Sequence, residues 1–161
     1  MASGNTLQGF FPYDNEPPSS NYATAGLRNG HPTLQFDDTT AWSAIFTGKM
    51  PQNYAGSIGV TVYVTATAIA TTGTMGWTVE FERMDAATDL DADSFASVQT
   101  ITATTVPGTS GFPLTLSVAV AAASMDGVVA GDSFRIRIKR DVANDNAAGN
   151  TEIMRVEIRE T

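Results

Sequence analysis

The chain alternates between apolar and polar residues over most of its length. "GVTVYVTATA" places Val60, Val62 and Val64 on one side and Thr61, Tyr63 and Thr65 on the other. "GWTVEFERM" sets Trp77, Val79 and Phe81 against Thr78, Glu80 and Glu82. "PLTLSVAV" turns Leu114, Leu116, Val118 and Val120 inward, and "SFRIRIKR" sets Phe134, Ile136 and Ile138 against Arg135, Arg137 and Lys139. "EIMRVEIRE" does the same with Met154, Val156 and Ile158 against Arg155, Glu157 and Arg159. A period of two is the mark of antiparallel strands with one face in a core. Three less regular strands are expected over Thr33–Phe36, Ala41–Thr47 and Val98–Thr104.

Turn chemistry separates these runs: "TTGTMG", "VPGTSGFP", "VAGDS" and "DNAAGN". No stretch has the period of a long amphipathic helix; short helical turns are expected near Asp93–Ser97 and Ser124–Val129. About eight strands with long connections predict an all-β, antiparallel two-sheet sandwich. The strand count favours a jelly roll over an immunoglobulin-like domain.

Residues 1–33 break the pattern. Pro12, Pro17, Pro18 and Pro32 alternate with Phe10, Phe11, Tyr13 and Tyr22. Proline fixes φ and lacks an N–H, so the segment is expected to be extended and largely unpaired. Its aromatics call for burial somewhere. Either it straps its own sandwich, or it is an arm on a neighbouring subunit. The boundary is drawn between an extended N-terminal arm, 1–33, and a sandwich domain, 34–161, that folds without it. Phe10, Phe11, Tyr13, Pro17, Pro18 and Tyr22 are the candidate partner interface.

Charge narrows the partners. The formal net charge is −8 with only 16% charged residues. Such a surface repels phosphate, and no nucleic-acid partner is expected. No apolar run approaches the ~20 residues of a membrane span, and no basic-then-apolar leader is seen at the N-terminus, so neither a membrane partner nor a signal peptide is expected. With no cysteine there are no disulfides, thiol nucleophiles or thiolate metal sites.

The catalytic inventory is thin. His31 is the one histidine, in the turn-rich "RNGHPT", and nothing like G-x-S-x-G accompanies it. "DLDADSFA" opens like a calcium loop, but an EF-hand counted from Asp89 would need Gly and Glu where Ser94 and Thr100 stand. Turn-forming aspartates are the better account: Asp93 capping a helical turn from Ser94, with Leu90 and Phe95 pinning the loop to the core. An irregular calcium site that includes Asp85 is the alternative. Glu80 and Glu82 share one outward face, about 7 Å apart at a strand's rise of ~3.3 Å per residue. Pairing with Arg135, Arg137, Arg155 and Arg159 explains them more simply than glycoside hydrolysis. Trp77 is in phase with the core, whereas Trp42 is ambiguous. No catalytic residue, cofactor or metal ligand is assigned, and no enzymatic activity is expected.

The segments "NEPPSSNYAT", "RNGHPTLQFDD", "FTGKMPQNYAGS", "WTVEFERMD", "DLDADSFAS", "PGTSG", "AGDSFRIRIKRD" and "EIMRVEIRE" occur in this order over nearly the whole chain. In this it resembles a family of small jelly-roll structural proteins from tailed bacteriophages and prophages, of the kind that decorate capsids as cement proteins. The chain departs from that family at Ser57 and in "NDNAAGN", both in loops. The resemblance implies a virion protein on the capsid surface, assembled in the bacterial cytoplasm as a homotrimer, with the major capsid protein as partner. The alternative is a tail-fibre or head-fibre domain that grips host glycans through Trp42, Tyr54 and the Asp89–Asp93 loop.

Overall fold

The computed structural model describes residues 4–161; the first three residues of the expected arm lie outside it. Ten strands form: β1 (Thr6–Phe10), β2 (Thr24–Arg28), β3 (His31–Phe36), β4 (Ser43–Lys49), β5 (Gly59–Ala68), β6 (Thr74–Met84), β7 (Gln99–Thr105), β8 (Leu114–Ala121), β9 (Ser133–Arg140) and β10 (Thr151–Glu160). They make two antiparallel sheets. One runs β2-β3-β10-β5-β8, with β1 also paired to β10; the other runs β4-β9-β6-β7. Strands β3 to β10 alone give the two four-stranded halves of a jelly roll. The all-β, jelly-roll-like sandwich expected from the alternation is therefore the fold, and the eight expected strands are its frame.

The N-terminal segment is not separable from that frame. β1 runs beside β10, and β2 forms a hairpin with β3, so the boundary at 33 falls inside β3. Asn29 and Gly30 both have positive φ, which a two-residue hairpin turn of type I′ requires. Phe10 is buried, its ring 5.2 Å from that of Phe46. That removes it from the expected partner interface, because it sits in the core of its own chain.

Between β1 and β2 the chain makes one 3₁₀ turn, Pro12–Asp14, and then runs along the outer edge of β4. Glu16 N–H donates to the Ile45 carbonyl (2.7 Å), and Ile45 N–H donates to Asn15 Oδ1 (3.0 Å). Ser43 N–H donates to the Asn21 carbonyl (2.8 Å), and Ala23 N–H donates to the Ser43 carbonyl (2.9 Å). Pro17 and Pro18 fall between these bonded positions, where no N–H is required. This is the strap geometry, with the edge of β4 as its seat.

The core fills the gap between the sheets. Trp77 meets Phe36 edge-on (4.6 Å, 78°), and Phe81 lies 5.7 Å from Phe134. Below one end of the sandwich lies a buried cation. Arg140 is fully enclosed, and all its N–H groups have acceptors. Nε and Nη2 hold the Asp145 carboxylate (2.7 and 3.0 Å), Nη2 also reaches the Ala147 carbonyl (2.7 Å), and Nη1 reaches Gly149 (2.9 Å) and Phe36 (3.2 Å). One side chain thereby shapes the β9–β10 loop and ties it to the end of β3. Truncation strands a buried carboxylate and several carbonyls, so Arg140→Ala is expected to lower unfolding free energy by about 3–5 kcal/mol. Urea denaturation checks this; a loss below about 1 kcal/mol would show that the loop satisfies itself.

Candidate functional site

The strap that covers β4 leaves its own side chains outside. Tyr13 (66% exposed), Phe11 (57%) and Tyr22 (43%) stand on its surface, and Trp42, half-buried against the core, lies next to Tyr22. An isolated bridge between Tyr22 and Ser43 fixes that adjacency. Three shallow hollows line up here. The first, about 260 Å³, is formed by Asn21, Tyr22, Thr24 and Trp42. The second, about 280 Å³, shares Tyr22 and Thr24 with it and adds Tyr13, Asn15 and Pro17. The third, about 370 Å³, shares Pro12 and Tyr13 and continues to Phe11, His31, Pro32 and Met154. Each shares wall residues with the next, so the three form a shallow, partitioned cleft along the strap. Backbone bonds of Asn21 and Ala23 to Ser43 flank Tyr22, and Arg155 stacks 5.5 Å from the Phe11 ring.

Of the residues expected at a partner surface, Phe11, Tyr13, Pro17 and Tyr22 line this cleft, and Pro18 lies in the strap beside them. The glycan candidates divide. Trp42 lines the cleft, while Tyr54 is buried: burial and the nearby Glu160 push its phenol above the ordinary value, and its hydroxyl meets the Met125 sulfur at 3.6 Å. Tyr54 therefore has no surface to offer. His31 sits exposed at the start of β3, and the hollow beside it holds no carboxylate or serine.

The Asp89–Asp93 loop does something other than expected. No helical turn forms at Ser94; its N–H and hydroxyl both donate to Glu82 Oε1 (2.6 and 3.1 Å). Asp93 caps nothing. It pairs with Arg135 (3.0 Å) and lies 3.8 Å from Arg137. Leu90 points to solvent, and Phe95 lies across both guanidinium groups at 5.1 and 4.1 Å. The loop is thus pinned to a charged ladder instead of to the core. That ladder is Glu82–Arg135 (2.6 Å) and Glu80–Arg137 (2.8 and 2.9 Å), with both glutamates buried beneath the loop. Arg155 and Arg159 belong to the other sheet and take no part in it. A hollow of about 360 Å³ at the loop's flank is lined by Arg83, Asp85, Asp89, Ser94 and Asp126. Its carboxylates are engaged: Asp89 accepts Asp91 N–H (3.0 Å), Asp85 accepts Ala87 N–H (2.8 Å), and Asp126 accepts Arg83 N–H (2.8 Å). Among the described residues no three or more His, Asp or Glu converge as a metal site would require.

No protein-family model matches the sequence, and neither does any curated protein. Solved structures of similar architecture include a xylan-binding module, CBM15, at 12% identity and TM-score 0.49, covering 100% of this chain and 94% of the module. A mannan-recognising carbohydrate-binding module, TmCBM27, matches at 11% identity and TM-score 0.46, covering 99% of each chain. The CBM22-1–GH10 portion of a Clostridium thermocellum xylanase matches at 12% identity and TM-score 0.45, and the match covers 99% of this chain but 28% of that one. Likeness at this level concerns two packed sheets and leaves the ligand to be read from this chain's own surface.

Three carboxylates that brace the loops have lowered proton affinity. Asp37, in the turn leading to Trp42, is held below its ordinary value by the Thr39 hydroxyl and by the N–H groups of Thr40 and Thr39. Asp132 is held down by Val129 N–H and then by Arg83, and Glu157 by Arg159 and then by the Thr6 hydroxyl that joins β1 to β10. Each folded-state value is depressed, so the stabilisation is complete above the ordinary values of 3.8 and 4.5 and is lost as pH falls through the folded values. The melting temperature is expected to hold from neutrality to about pH 5 and to fall below it. In Asp132→Asn the acid limb should be shallower; an unchanged limb in thermal melts would show that Asp132 contributes nothing to it.

Proposed function

We propose that this chain is a non-catalytic recognition domain of a tailed-phage particle that grips a surface glycan through the cleft along its N-terminal strap. One observation carries this: Trp42, Tyr22, Tyr13 and Phe11 line three neighbouring hollows, the first of which bears the amide and hydroxyl groups of Asn21 and Thr24. Sugar rings have apolar faces and hydroxyl edges. Aromatic platforms take the faces, neighbouring amides and hydroxyls take the edges, and no charge is needed for either. A rigid platform also binds at low ordering cost, and these rings are mounted on a segment already paired to β4.

The decoration role has less support in the geometry than in the family resemblance. A cement arm has to reach a neighbour, and here the segment's hydrogen bonds are made to its own sheet. What favours a protein partner is the exposed Leu27 on β2, which stands opposite Pro32 of the third hollow and adds to the apolar surface there. On that second reading the same face seats on the major capsid protein, and the chain appears in purified particles in numbers matching the shell protein. A fibre domain would be scarce by comparison.

An array of bacterial surface polysaccharides and β-linked plant glycans tests the first reading. At least one glycan class should be retained. Trp42→Ala and Tyr22→Ala should each weaken it by about thirtyfold, the cost of truncating an aromatic anchor at roughly 2 kcal/mol. Arrays without a hit, or alanine variants that bind undiminished, would sink it.

A further inference from the structure

Among the described residues five strands have an unpaired edge, and one of them is treated differently; β1 is short and irregular between Thr6 and Gln8. The edge of β4 lies under the strap. β2 is short and ends in Arg28. β7 meets β6 across a break in register between Met75 and Trp77. β8 is blunted in none of these ways, although β7 of the opposite sheet runs close beside it. It pairs with β5 without a bulge from Gly59↔Ala121 to Ala66↔Leu114, and among the described residues no strand or strap pairs with its outer edge. A straight, unpaired edge presents a row of N–H and C=O groups ready for another strand, and proteins normally blunt such edges with charge, proline or a bulge.

The sequence here has no charge to blunt it with. From Ser94 to Met125 there is no Asp, Glu, Lys, Arg or His, in a chain of net charge −8. Two copies repel each other over most of their surface, and this stretch, which builds β7 and β8, is where they can approach without like charges in contact. The outward side chains of β8 are small: Thr115, Ser117, Ala119 and Ala121 are all exposed. At the two ends of the edge stand exposed apolar residues. Phe112 precedes the strand, and Ile58 accepts the Ala122 N–H at its far end. When β8 pairs antiparallel with itself, the start of one strand meets the end of the other, so Phe112 of each copy comes to the Ile58 end of its mate.

We infer that β8 is a self-association edge and that the occupant is a second copy of this chain. An antiparallel β8–β8 contact is two-fold and closed. It joins the two six-stranded sheets into one, and it uses an uncharged edge without a bulge in doing so.

Sedimentation equilibrium of the full chain over a micromolar concentration series tests this. The wild type should approach twice its 17.0 kDa mass, and the Ser117→Lys/Ala119→Lys double variant should dimerise at least about tenfold more weakly, since like charges then face each other across the pair. Both side chains are exposed, so the thermal melt of the dilute variant should match the wild type's. Hydrogen exchange on the wild type gives a readout that needs no variant: amides of β8 should gain protection as concentration rises, while those of β7 stay constant. A wild type that remains monomeric, a trimeric mass, undiminished dimerisation of the lysine variant, or β8 protection independent of concentration would each overturn the proposal.

Discussion

A sheet edge cannot be left as it is. Its outer N–H and C=O groups need water, a covering segment or another strand, and a two-sheet sandwich has four such edges. The shape of this molecule follows from how each is handled. On one side the sequence supplies extra chain. Residues 15–23 run along β4 and give it hydrogen-bond partners, while β1 and β2 extend the larger sheet beyond the jelly-roll frame. Asn15 shows how specific the cover is: its side chain takes the Ile45 N–H, which the strap's own backbone does not reach. The prolines belong to the same solution, because a strap needs only some of its positions to pair, and a proline at the others keeps the segment extended.

The candidate binding surface is a by-product of that cover. A strap paired through its backbone sends alternate side chains away from the sheet, and in this strap several of those are aromatic. Tyr22 is exposed between Asn21 and Ala23, whose backbones bond to Ser43 on either side of it, and that pairing restrains it. Edge protection and the proposed recognition surface therefore use one segment. The functional surface cannot be altered freely without uncovering β4, nor β4 uncovered without losing the surface. Asp37 extends the coupling: its carboxylate closes the turn that sets the entry of Trp42 into the cleft.

Much of this was legible in the sequence where the physics is local. Period-two alternation located five strands and their inward faces, except at Met154, where a bulge in β10 puts Ile153 in the core and Met154 at the third hollow. The strands it missed, β1 and β2, are short, and each lacks a full apolar face. The signal for the second was present in "LRNGHP", whose Asn-Gly pair is a hairpin turn flanked by "TAGLR" and "HPTLQF"; the surrounding prolines masked it. Other misses came from contacts that no local pattern records. Glu80 and Glu82 read as solvated by alternation, yet they are buried under a loop whose approach depends on Phe95 lying over two arginines. Arg140 reads as one more charge at a strand end, and its burial depends on the folding back of the loop that follows it and on the Phe36 carbonyl at the end of β3. Tyr54 looked like an exposed loop aromatic for the same reason. Phase predicts the face a side chain takes, but not what comes to cover that face.

The two sides of the sandwich then have opposite characters, and the difference has a functional sense. The strapped side is aromatic, rigid and closed to further pairing. The β8 side is uncharged, smooth and open. In the larger sheet β2, against the strap, and β8 are the two ends of the order, so partners joined at β8 carry their clefts at opposite extremes of the combined sheet. Two clefts on one rigid body turn the second engagement of a repeating polymer into an intramolecular event, provided that the repeat spans the distance between them. A modest single-site affinity is then sufficient, which suits a shallow groove whose walls are a few rings. The edge that the strap closes and the edge that β8 leaves open are on this view complementary: the first fixes where a ligand is held, and the second sets how many times it is held at once.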